Sequence, residues 1–155
     1  MIKEKIKIEE HVNVLQVFSS AIDKYWSLVK PMLIEAIEYD GNALEIDDLK
    51  YYLKNNKLQL FVMFGSDDGK EHKLFGVCVV RITSWPNFKQ CEVPLLKGEK
   101  RELWQHELVD TIEDFAKINN CKKLAILARP GWLSFAKTKN LEVKRYLYTK
   151  ELNNE

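Results

Sequence analysis

Residues 91–132 read CEVPLLKGEKRELWQHELVDTIEDFAKINNCKKLAILARPGW, and the order of patterns within them decides the fold. An apolar run, Val93 to Leu96, passes into a charged loop, Lys97 to Arg101, that holds one glycine, Gly98. A helix follows: Trp104, Leu108, Ile112 and Phe115 recur at spacings of four, four and three, while Glu102, Gln105, Glu113 and Lys117 face away. Asn119-Asn120 ends it. Leu124-Ala-Ile-Leu-Ala128 is a continuous apolar run, as expected of a strand covered on both faces, and it follows a helix as a parallel crossover demands. Pro130-Gly131-Trp132 opens a short helix, and the residues up to Leu152 read as a closing strand. Two strands joined by one helix make a right-handed crossover whose loop offers backbone N–H groups to an anion. Small-molecule chemistry is therefore expected near Lys97 to Trp104.

Upstream, Val12 to Phe18 fits a short strand after a charged start, and Ser19 and Ser20 offer a helix cap. Ile22, Trp26, Val29, Leu33 and Ala36 then mark one helix face. Pro31 lies inside that run, removes a donor and crowds the Ser27 carbonyl, which predicts a kink or two helices meeting there. A second helix is expected from Ile46 to Lys54, with Asp47 and Asp48 near its positive end. Leu58 to Phe64 and Leu74 to Thr83 read as antiparallel strands joined at Ser66-Asp67-Asp68-Gly69-Lys70, and Phe88 to Leu96 completes a three-stranded meander. Pro94 cannot donate to a ladder. It marks either a bulge or opening in the sheet or an ordinary edge position.

The bulk properties exclude several classes. The 155 residues, 46% hydrophobic and 11% aromatic, suit a single domain spanning 1–155. Lys plus Arg number 24 against 23 for Asp plus Glu, so no global field favours nucleic acid or an anionic membrane. No run approaches a membrane span, and Met1-Ile-Lys-Glu-Lys lacks the apolar core of a signal peptide; a soluble, intracellular protein is expected. Cys78, Cys91 and Cys121 lack metal-like spacing and read as free thiols. His11, His72 and His106 are isolated, so no metal site is expected.

Strand, helices, meander, long helix, strand, short helix and last strand is an α/β (α+β) order that resembles the Gcn5-related N-acetyltransferase (GNAT) superfamily. A closer likeness is to small GNAT-like proteins of tailed bacteriophages. It is carried by Trp26-Ser-Leu-Val-Lys-Pro31, by Phe115-Ala116 with Asn120-Cys121, and by Arg129-Pro-Gly-Trp132 with Asn140-Leu141. The resemblance implies a mixed, mostly antiparallel sheet with one splayed parallel pair and helices on both faces. It also implies acetyl-CoA held at the splay between Gln90 to Leu96 and Leu124 to Ala128, against Val93 and Leu95.

Where the superfamily carries Gln/Arg-x-x-Gly-x-Gly/Ala, this chain has Lys97-Gly98-Glu99-Lys100-Arg101-Glu102. Only Gly98 remains. Glycines let backbone approach a pyrophosphate, so their loss and two added glutamates predict weak or absent acetyl-CoA binding, offset in part by Lys97, Lys100 and Arg101. The alternative is a solvated loop of mixed charge. Arg129, at the end of a strand, would meet a phosphate or pair with a carboxylate. Glu92 lies on the strand that often supplies the general base in the superfamily; the alternative is a solvent-facing strand carboxylate. Many members carry a tyrosine acid on the last helix. Here Phe135 or Ala136 takes that place, and Tyr146 and Tyr148 read as packing or surface residues. Trp132 would cover a cleft or plug it.

Two functions follow from the resemblance. One is acetyl transfer to an amine substrate, with Glu92 or a water relay as base, or CoA binding alone through a degenerate pyrophosphate loop. The other is a non-catalytic protein that reuses the fold as a virion component or as a partner of a phage or host protein.

Overall fold

A computed structural model describes residues 9–153 of the chain. The charged start, residues 1–8, lies outside the described residues. Five strands form one sheet in the order β1 (Val12–Val17), β2 (Gln59–Gly65), β3 (Lys73–Ser84), β4 (Lys89–Gly98), β5 (Lys123–Ile126). The first four are antiparallel neighbours and β4–β5 is parallel. A meander needs only turns, whereas the parallel step needs the long helix α3 (Gln105–Ile118) as its crossover.

Alternation along the strands sends apolar side chains to two cores, one on each face. On one, α1 (Ile22–Tyr39) and α2 (Ile46–Lys54) bury Leu33, Leu49 and Leu53 against Leu60, Val77, Val79 and Leu95. On the other, Trp104 and α3 residues Leu108, Ile112 and Ala116 cover Phe61, Met63, Cys78, Cys91 and Val93. The sheet is thus a middle layer with helices on both sides.

Several expectations from sequence are corrected. α1 runs unbroken through Pro31, so two helices do not meet there; Leu33, Ala36 and Ile37 beyond the proline remain buried on the same helix face. Ser19 and Ser20 form a 3-10 turn and cap nothing with their side chains, because the α-helix starts only after Ala21. α3 starts one residue after Trp104, whose ring is buried and whose indole N–H donates to the Glu99 carbonyl at 2.8 Å. β5 ends at Ile126, leaving Leu127 and Ala128 outside it and exposed. It is not covered on both faces. Its residues are at best half-buried because it is the sheet's edge: residues 141–152, read from sequence as a closing strand, pair with no strand. Their apolar content matches a strand, but a strand forms only where a partner supplies the ladder. After β5 the chain enters a 3-10 turn at Pro130–Trp132 and a short helix, α4 (Leu133–Thr138).

Candidate active site

The site is set by what happens at Pro94. Antiparallel pairing between β3 and β4 runs Val77–Lys97, Cys78–Leu96 and Val79–Leu95, then slips and resumes at Arg81–Glu92. Val93 and Pro94 therefore share the place opposite Val80, a β-bulge. On the other side, the β4–β5 ladder ends at Val93–Ile126. Beyond that register β4 continues to Gly98 while β5 stops, so the two parallel strands part at the residue that has no N–H to donate. The bulge also switches faces. Cys91 and Val93 point to the α3 side, whereas Leu95 points to the α1 side.

Glu92 precedes the bulge. Its carboxylate accepts from Arg81 Nε at 2.6 Å and from Gln90 Nε2 at 3.0 Å, and its side chain is only 16% exposed. Burial pushes its pKa up, but the hydrogen bonds from Arg81 and Gln90 outweigh burial and hold it below the ordinary glutamate value. Glu92 is thus ionised at neutral pH and fixed in place. No cysteine competes as a nucleophile here: burial pushes the Cys91 thiol up to about 12 and Cys78 higher still.

Past the bulge, the charged loop is folded on itself. Gly98 is still in β4, opposite Gly76, with the Trp104 ring packed beside it. Lys100 sits at the first glycine position of the superfamily pattern and adopts φ +50°, the left-handed conformation that glycine takes without cost. Among the described residues the N–H groups of Lys100, Arg101 and Glu102 have no backbone acceptor, so they remain available to an anion. The side chains, however, are occupied. Lys100 pairs with Asp67 of the β2–β3 turn, raising the lysine pKa and lowering that of the aspartate. Arg101 lies 4.4 Å over the Trp132 ring and donates to the Gly131 carbonyl.

Lys97 and Arg129 come together around a residue that sequence reading missed. Lys97 Nζ is 5.2 Å from the centre of the Tyr39 ring, and the Arg129 guanidinium is 3.7 Å from it. Arg129 thus stacks on an aromatic ring, where sequence had suggested a phosphate or a carboxylate. Tyr39 ends α1, so the last turn of that helix reaches the mouth where β4 and β5 separate. Its only sequence signal was an aromatic placed at a helix end just before Asp40-Gly41. Val93 and Leu95 straddle the bulge, as the resemblance implied, but on opposite faces of the sheet. Phe135, at the place where the resemblance implies a tyrosine acid, is buried between His106 and Trp132.

No family model and no curated protein matches this chain. Solved structures do. An aminoglycoside acetyltransferase from an uncultured soil metagenomic sample, in complex with sisomicin, superposes with a TM-score of 0.64 at 15% identity, over 92% of this chain and 97% of that one. A probable acetyltransferase gives 0.67 at 11%, over 92% and 99%. Glucosamine-6-phosphate N-acetyltransferase from Arabidopsis thaliana gives 0.61 at 14%, over 93% and 100%. The fold is that of the GNAT acetyltransferases. At these identities the likeness carries the fold alone, and the mixed sheet with one parallel pair and helices on both faces is the feature shared. Within a GNAT fold, this chain departs at the loop after β4, where lysine and glutamate replace glycines and the two central cations are held by the protein itself.

Proposed function

We propose that this chain is an acyl-CoA-dependent N-acyltransferase with low affinity for acetyl-CoA. The observation that carries it is the parting of β4 and β5 beside the bulge at Pro94, with an ionised, fixed Glu92 next to the opening. The described residues fit the cofactor in part. The N–H groups of Lys100 to Glu102 have no backbone acceptor and can donate to an anion, and Lys97 and Arg129 lie on the Tyr39 ring at the end of α1; Glu99 and Glu102 oppose an anion. When bound, acetyl-CoA supplies an acetyl group already activated as a thioester.

The chain's own residues then do three things. β4 backbone beyond Val93, freed from β5, lines the opening and orients what enters it. Glu92 accepts the proton of the attacking amine, directly or through one water. Arg81 and Gln90 hold that carboxylate ionised and still. No phenol on α4 stands ready to protonate the leaving thiolate, so water or the newly formed ammonium must do so. The acceptor is proposed to be an amine, the class named for the aminoglycoside and glucosamine-6-phosphate enzymes of this fold.

Calorimetric titration with acetyl-CoA is expected to give a dissociation constant of about 0.1–1 mM, or roughly −5.5 to −4 kcal/mol. Glu102→Ala should tighten binding about two- to fivefold by removing a like charge from the cradle. Low-micromolar binding by the unmodified chain would show that the N–H groups alone hold a pyrophosphate. A second reading, a protein that keeps the fold without the chemistry, is favoured by the engagement of Lys100 with Asp67 and of Arg101 with Trp132. It predicts no heat at millimolar acetyl-CoA and no acetylation of any amine tested.

A further inference from the structure

The sheet order places the β2–β3 turn on one side of β4 and the opening toward β5 on the other. Lys100 follows β4, in the loop whose N–H groups have no backbone acceptor, and its ammonium turns to the first of these sides, where it pairs with Asp67. A cation that belongs to the loop is thereby held away from the opening.

Asp67 is presented by a turn with its own hydrogen-bond network. Ser66 is buried, and its N–H donates to the His11 carbonyl at 3.1 Å. The Ser66 hydroxyl donates to Asp68 Oδ1 at 3.1 Å and accepts the Gly69 N–H at 2.9 Å. Asp68 Oδ1 also accepts the N–H groups of Lys70 and Glu71, at 2.8 and 3.3 Å. Asp67 is left as the carboxylate that meets the loop; its side chain is only 12% exposed, and Lys73 Nζ lies 3.4 Å from its other oxygen. A pair so placed is screened less than one in open solvent. The other carboxylates that act on the Lys100 charge are Glu102 and Asp68. Asp68 is taken up by the turn, and Glu102 belongs to the loop itself.

We propose, on the acyl-CoA reading given above, that Asp67 is an autoinhibitory residue: it competes with the cofactor's pyrophosphate for Lys100, and acetyl-CoA binds more tightly once the lysine leaves it. Two effects add. An anion on the loop N–H groups meets the Asp67 charge nearby, and the ammonium that would balance the anion is already balanced. Low affinity then has a second source besides the missing glycines. It is a removable one, because it resides in a single contact between residues 33 positions apart.

The test is calorimetric titration with acetyl-CoA of the full chain, of Asp67→Asn, of Lys100→Ala and of the double variant, each checked for folding by its circular dichroism melt. Asp67→Asn is expected to tighten binding about fivefold, and Asp67→Ser, which suits the same turn, should behave alike. Lys100→Ala alone should change the affinity by less than about twofold, because the lysine is committed elsewhere. In that background Asp67→Asn should gain less than about twofold. An equal gain with and without Lys100 means that Asp67 acts by repulsion alone and overturns the proposal. Weaker binding by Asp67→Asn overturns it too, since the pair would then be shaping the loop for the ligand, as does an absence of heat from all four proteins at millimolar acetyl-CoA. Fivefold tighter binding with no acetylation of any amine sustains the contact and removes the transferase reading. Acetylation with one affinity across all four proteins does the reverse.

Discussion

Gly98→Ala is expected to lower the melting temperature by about 4–12 °C, the shift that an overpacking cost of roughly 2–3 kcal/mol produces in a domain of this size. A Cβ at this position would lie 2.7 Å from Cζ2 of Trp104, 2.8 Å from the Phe75 carbonyl oxygen and 3.1 Å from Cα of Gly76. None of the three can yield cheaply. Trp104 is 2% exposed and anchored through its indole N–H to the Glu99 carbonyl, Phe75 O accepts the Glu99 N–H, and Gly76 is the facing residue of β3. The control is Gly131→Ala, where a Cβ meets nothing within 4 Å, and whose melting temperature should hold or rise slightly. Thermal melts of both proteins, followed by circular dichroism, decide it. An unchanged melt for Gly98→Ala with a large loss of acetyl-CoA affinity would mean that this glycine serves a ligand's approach rather than the packing of Trp104.

That distinction shows how much of the site was legible in the chain itself. The strands from Val12 to Gly98 and helices α1 to α3 follow from periodicity because each has a buried face that imposes its spacing. Pro94 was legible only as a choice between a bulge or opening and an ordinary edge position, because a missing donor has few tolerable places in a sheet; the register slip decides for the bulge. What sequence could not give is how the charges are spent. Asp67 and Lys100 are 33 residues apart and meet only because the β2–β3 turn folds over the loop after β4. Tyr39 and Arg129 are farther still and meet because α1 ends at the splay. A count of lysines and arginines near Gly98 therefore overstates the charge free to meet an anion, since Lys100 is engaged by Asp67 and Arg101 by Gly131 and Trp132. The segment after α4 misleads in the opposite way. Leu141 to Leu152 has the composition of a strand, but a strand also needs a neighbour, and none of this chain's own strands supplies one.

Glu92→Gln is expected to reduce the rate of amine acetylation at neutral pH by about a hundredfold or more, the usual cost of losing a positioned base. Cofactor affinity should hold, because the amide fills the same space and its carbonyl can still accept from Arg81. The pH profile gives a second, independent readout. In the unmodified protein Arg81 and Gln90 keep the carboxylate ionised well into acid, so the acidic limb of kcat/KM should fall below the ordinary glutamate range. Arg81→Ala removes the strongest of those partners and leaves burial as the dominant influence, so the limb should move to higher pH. Stability follows the same sign. A folded-state pKa held below the unfolded value contributes stability above the unfolded pKa, and that contribution is lost as the pH falls through the folded one. Arg81→Ala should therefore flatten the acid side of the stability curve as well as shift the rate profile. Phenylalanine at Tyr146 or Tyr148 should change neither, since both rings are exposed at 78% and 89% and touch nothing near the bulge. If Glu92→Gln keeps full rate and the acidic limb stays where it was, Glu92 is a structural partner of Arg81, and the proton leaves the amine by another route.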